Sequence, residues 1–135
     1  MSAAFRAVRL SEIPSPSKVA ERAEVGDPTW HPIRHHLDIG AFGVNAWSGD
    51  EGAEVIEDHT EASGHEELYV VVSGRAAFTV EGEEVDAPAG TLVYVPGPES
   101  RRVAVAREPG TTVLALGGWR DRAFEVSEWE QRWTD

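Results

Sequence analysis

Residues 52–102 read GAEVIEDHTEASGHEELYVVVSGRAAFTVEGEEVDAPAGTLVYVPGPESRR, and this stretch decides the fold. Short apolar runs are separated by breaks containing Gly and Pro, with no helical periodicity between them. That is the pattern of an antiparallel sandwich or barrel. His59 and Glu61 stand two apart at the end of one run, and His65 and Glu67 two apart at the start of the next. Successive strand side chains point to opposite faces, so each pair shares a face. If the two runs pair as a hairpin across the TEASG link, His59, Glu61, His65 and Glu67 converge on one spot as metal ligands or acid/base groups.

Outward from the link, HEELYVVVSG is the most apolar strand, with His65, Glu67, Tyr69 and Val71 on one face. Ser73-Gly74 turns it into RAAFTVEG, where Phe78 and Val80 alternate with Ala77 and Thr79. Glu81-Gly82 makes a hairpin tip, and TLVYVP, VAVA and TTVLALGG supply further strands. Toward the N-terminus, Phe42, Val44 and Ala46 alternate in a half-buried strand over 39–47. WHPIRHH gathers His31, His35 and His36, read as a partly exposed strand or a subunit contact. Ser15, Pro16 and Gly26 frame a short helix over 15–26, and residues 5–10 read as an edge strand. In the tail, Ser127 and Glu130 match a capping box. Trp129 and Trp133 share one face of a helix over about 126–134, where packing is their expected role.

The chain has 135 residues, sufficient for one domain (1–135) with a core over about 39–118. Twenty-four acidic residues against 12 basic ones give a net charge of −12, which argues against nucleic-acid and anionic-membrane partners. With no cysteine there are no disulfides, thiolate metal sites or cysteine nucleophiles. Ser63 and Ser73 lie near histidines, but turn chemistry explains both. No signal peptide or bilayer-length apolar run is apparent, so a cytoplasmic location is the expectation.

Glu67, the apolar LYVVVS and Gly74 resemble the end of the first cupin motif, and Gly90, TLVYV and Pro96 resemble the start of the second. The resemblance spans residues 40–118. It implies an all-β fold, a cupin-like antiparallel β-barrel (jelly roll) with short N- and C-terminal helices, and it places the His59 face inside. It further implies a cavity for a small polar or anionic molecule, lined by His59, Glu61, His65, Glu67 and Arg101, with Tyr69, Phe78 and Tyr94 as apolar wall, and a homodimer. The sequence departs from the motifs twice, having Glu61 and Arg101 where the family has histidines.

Two classes of function therefore stay open. One is a metal-dependent enzyme of dioxygenase, isomerase or decarboxylase type, using His59 and Glu67 with Glu61 or His65 to hold zinc, iron, manganese or nickel. The other is a metal-free binding module in which Arg101 supplies the positive charge and grips a ligand carboxylate. Arg101 and Arg102 have opposite strand parity, so one of them enters the cavity while the other faces solvent.

Overall fold

In the computed structural model, which describes residues 4–134, nine strands form two antiparallel sheets. They are β1 (Thr29–His31), β2 (Gly43–Gly49), β3 (Glu54–His59), β4 (Glu66–Ser73), β5 (Arg75–Val80), β6 (Glu83–Pro88), β7 (Leu92–Val95), β8 (Arg102–Ala106) and β9 (Thr111–Gly118). One sheet has the order β1-β2-β9-β4-β7, the other β3-β8-β5-β6. The pairs β2·β9, β3·β8, β4·β7 and β5·β6 are nested and alternate between sheets, so a long folded-back ribbon is wrapped into a jelly roll. Among the described residues, a 3-10 turn over Leu10–Glu12 and three short α-helices flank it: α1 (Ser17–Ala20), α2 (Ile33–Leu37) and α3 (Glu128–Trp133).

The nesting corrects one expectation. The runs carrying His59 and His65 do not pair as a hairpin: β3 lies beside β8 in one sheet, and β4 lies between β7 and β9 in the other. The TEASG link crosses between sheets, and convergence comes from two sheets facing each other. The next turn also crosses. There Gly74 has φ +72, and a Cβ on it would stand 2.4 Å from Thr111 Oγ1, so both backbone angle and space demand glycine. Within one sheet, Glu81 (φ 48) and Gly82 (φ 78) form the tight β5–β6 turn that Glu-Gly foretold.

The inner faces are filled. Tyr69, Val71, Phe78, Val55, Val95 and Val113 are almost wholly buried in one cluster, with the Tyr69 and Phe78 rings 5.6 Å apart. Phe78 is therefore core, and the space between the sheets is packed side chain. β3 carries two register shifts against β8, between Glu54 and Ile56 and between Ile56 and His59. Simple alternation would have put Glu57 inside with His59. The irregularity leaves Glu57 exposed while His59 still pairs with Arg102, which removes an unpaired carboxylate from the interior.

Several peripheral expectations change. Residues 5–10 form no strand, and the helix expected over 15–26 is limited to the single turn of α1. Pro32 separates β1 from α2, so the three histidines part company. His31 is buried between the Ile13 carbonyl (2.9 Å) and Ser48 Oγ (2.8 Å), while His35 and His36 are exposed. The capping box does not form. Glu130 instead makes a buried ion pair with Arg34 and lies 3.5 Å from Asn45 Nδ2, tying α3 to β2. This leaves Trp129 packed on Trp30 at 5.3 Å and Trp133 under the Arg22 guanidinium.

Candidate functional site

At one end of the roll, the last residue of β3, the link and the start of β4 bring His59, Glu61 and Glu67 together. One potential ligand atom from each lies within 4.8 Å of the others. His59 Nε2 is 3.5 Å from Glu61 Oε2 and 3.8 Å from Glu67 Oε1. Its other ring nitrogen, Nδ1, lies 2.5 Å from the Glu57 carbonyl oxygen. A carbonyl can only accept, so Nδ1 carries a proton and Nε2 is the atom turned to the carboxylates.

Glu67 is held by two donors on a single oxygen. The Tyr69 hydroxyl donates to Oε1 at 2.5 Å and Arg102 Nη1 at 2.9 Å. Arg102 is wholly buried, and each of its N–H groups has a protein acceptor. Nε and Nη2 reach the Ser100 carbonyl, Nη2 also reaches that of Gly97, and Nη1 serves Glu67 and Tyr69. The arginine that enters is thus Arg102. Arg101 points outward to Asp58 at 2.8 Å, which corrects its expected place in the cavity lining. Because no N–H of Arg102 is left over, this guanidinium is a fixed internal cation rather than a gripper of ligand carboxylates.

Glu61 sits on the link and is fixed at both its backbone and its side chain. Its N–H donates to the Pro98 carbonyl (2.8 Å), and Ser63 Oγ donates to Glu61 Oε1 (2.6 Å), which leaves Oε2 for His59. The electrostatics follow from this crowding. The Glu61 and Glu67 carboxylates raise the His59 pKa from 6.5 to about 10 against the opposing effect of burial. Burial pushes the Glu61 carboxyl up, but hydrogen bonds with His59 and Ser63 outweigh it and bring it to about 2. Burial, reinforced by Glu67, raises the Tyr69 hydroxyl well above its ordinary value, so it stays a donor. With His59 protonated, two cations face two carboxylates and the formal charges cancel.

Two residues expected here lie elsewhere. His65 is buried, but its ring packs edge-on against Trp119 (4.2 Å between centroids) and beside Phe124 (5.6 Å), outside the ligand group. Burial lowers its pKa. Tyr94 is half exposed on the outer face of its sheet, where its hydroxyl donates to Glu66. It lines an open groove of about 500 Å³ with Phe42, Leu68 and Trp119, and Glu67 also reaches this groove. Tyr69 is present, but as a hydrogen-bond donor to Glu67 more than as apolar wall. The part played by Ser63 follows from its place two residues after Glu61, where a hydroxyl readily meets a neighbouring acceptor.

The donor set suits a divalent ion in two respects. The Glu57 carbonyl fixes the histidine tautomer a ligand needs, and Arg102 and Tyr69 hold Glu67 through Oε1, the oxygen nearest His59. His59, Glu61 and Glu67 are also the members of the cluster with some exposure, at 33%, 15% and 14% of their side-chain surface.

No curated protein matches the chain. Among solved structures, a cupin protein from Bacteroides fragilis has a TM-score of 0.60 at 19% identity, over 78% of this chain and 86% of that one. KdgF from Halomonas sp. gives 0.52 at 26% identity, over 62% and 74% respectively. A predicted oxalate decarboxylase from Thermotoga maritima gives 0.62 at 18% identity, over 83% and 97%. Residues 48–115 match the sequence model of the cupin domain, half of the chain and the part that holds all of His59, Glu61, Glu67 and Arg102. The chain belongs to the cupin domain family.

Proposed function

We propose that the open end of the roll binds a small polar molecule at a divalent metal ion held by His59 Nε2 and the carboxylates of Glu61 and Glu67. The observation that carries this reading is the convergence of those three ligand atoms within 4.8 Å on the side of the cluster that retains exposure. An oxygen-rich set with one imidazole suits manganese or iron better than zinc. When bound, such an ion supplies a Lewis acid for a substrate oxygen and, once His59 yields its proton, brings the formal charge of the cluster to one positive unit. The chain's own residues do the positioning: Glu57 fixes the imidazole, Ser63 turns Glu61, and Arg102 with Tyr69 holds Glu67.

The test is elemental analysis by mass spectrometry of untagged protein purified without chelators. About one equivalent of metal, lost in His59→Ala, is expected for a three-ligand site with open positions. A substoichiometric content that added manganese, iron, nickel or zinc does not raise would sink the reading. A second reading, a metal-free binding module, is favoured by the exact balance of charge among His59, Glu61, Glu67 and Arg102 without any ion. It predicts that chelators leave ligand binding unchanged. The homodimer expected from the family rests on the open edge of β7 with exposed Leu92 and Tyr94, and a monomer mass by light scattering would end it.

A further inference from the structure

We propose that Trp119 is a positioning residue for Glu61, acting through the backbone and side chain of Ser63; this rests on the reading of Glu61 as a ligand. Of the three converging residues, His59 ends β3 and Glu67 lies in β4, while Glu61 lies on the link between sheets. Link residues open locally more readily than ladder residues, and a ligand must hold its place to a fraction of an ångström. Something outside the link has to supply the rigidity.

The Pro98 carbonyl holds the Glu61 N–H, and the segment after β9 holds the side-chain end of the turn. Trp119 Nε1 donates to the Ser63 carbonyl oxygen at 2.9 Å, and Ser63 Oγ donates to Glu61 Oε1 at 2.6 Å. The contact runs from residue 119 to the centre of the link, across 56 positions of sequence. Gly64, next in the chain, has φ +89 and lies so near the indole that a Cβ there would stand 3.5 Å from Nε1. Its N–H donates to the Glu61 carbonyl at 3.0 Å, closing the turn that carries the ligand.

Trp119 is itself clamped. The His65 ring meets it edge-on, the Arg122 guanidinium lies 4.1 Å from its ring centroid, and the Phe124 ring is 6.0 Å away. This gives buried His65 a role: its ring braces the indole that holds the link. The effect at the site is a choice of oxygen. With Ser63 bound to Oε1, Oε2 is the carboxylate atom presented to His59. Ser63, one hydrogen bond from the ligand, is a partner of the kind whose loss typically changes ion affinity by about 10–100-fold, and Trp119 acts one bond further out.

The test is Trp119→Phe, which keeps an aromatic ring against His65 and Phe124 and removes the N–H. Mn²⁺ titration by calorimetry should show about tenfold weaker binding, the lower end of that range. Ser63→Ala should weaken binding similarly, and the double variant should cost less than the product of the two, as expected for residues in one chain of contacts. Mn²⁺ affinity equal to wild type in Trp119→Phe overturns the proposal, since packing alone survives that substitution. If wild type binds no Mn²⁺, Fe²⁺, Ni²⁺ or Zn²⁺, the metal reading fails by itself, and the positioning role is then read from amide hydrogen exchange at Gly64. Faster exchange in Trp119→Phe, at unchanged exchange in the β4–β9 ladder, supports it; unchanged exchange at Gly64 overturns it.

Discussion

Among the described residues, the ion pairs Arg34–Glu130 and Arg102–Glu67 are largely withdrawn from water, and they do different work. Arg34–Glu130 joins α2 to α3, with the two side chains 7% and 4% exposed, and Asn45 and the Ile39 carbonyl complete its surroundings. Arg102–Glu67 joins β8 to β4 with an arginine that is equally buried, but its carboxylate also stands beside His59 and Glu61 on a side with some exposure. Burial of charge is common to both. What separates them is that the first is closed on itself, while the second braces groups that still have capacity to bind. A charged pair signals function when its partners converge on an accessible point, and otherwise it is an anchor.

The largest effect is expected at the anchor. Glu130→Ala leaves the Arg34 charge buried without its partner and should cost about 3 kcal/mol in urea denaturation. Ion binding by the folded fraction should be unaffected. A loss below about 1 kcal/mol would mean that Arg34 reaches water readily, and the two pairs would be less alike than their burial implies.

Glu67→Ala is expected next, at about 2 kcal/mol, because it strips an acceptor from Arg102 and Tyr69. It should also abolish ion binding. Glu67→Gln sharpens the contrast, since it restores an acceptor and part of the stability without restoring the ion. Ion binding that persists in both variants would remove Glu67 from the site.

The third expectation concerns pH. His59 has its folded pKa raised to about 10, so the stability it contributes is complete below about 6.5 and is lost as pH rises toward 10. Glu61 is depressed to about 2, so its contribution is complete above about 4.5 and is lost as pH falls toward 2. The cluster is most stabilising between those windows. An NMR titration of the His59 ring should place its midpoint well above 6.5, and Mn²⁺ at neutral pH should release a proton from it. A midpoint near 6.5 would show that the carboxylates do not hold the imidazolium.

The smallest effect is expected at Arg101→Ala. Its contact with Asp58 is solvent-exposed and should contribute no more than about 0.5 kcal/mol by thermal or urea denaturation. A loss comparable to that of Glu67→Ala would reverse the assignment of the two adjacent arginines.

Much of this was legible in the chain. Strand alternation placed Glu67, Tyr69 and Val71 on one face, and the Glu-Gly turn located the β5–β6 tip. Tyr94 and Phe78 were harder, because an aromatic in a strand reads the same whether it faces a groove, a core or solvent; only the neighbouring sheet decides. His65 had the right parity but falls just before β4, where the indole of residue 119 captures it. The capping box at Ser127 failed because Glu130 found a buried arginine from a distant helix, a partner that local spacing cannot announce.

The sequence by itself determined the alternation of strands, the glycines at the turns and the presence of His59, Glu61 and Glu67 within one short stretch. These depend on neighbours a few residues apart, where periodicity and backbone angles operate. The tertiary structure decided that the link crosses between sheets, that a register shift on β3 expels Glu57 and keeps His59, and that Arg102 rather than Arg101 is buried against Glu67. Each of those outcomes turns on register or on contacts between strands distant in sequence. A shift of one residue exchanges inside for outside without altering the pattern that sequence displays.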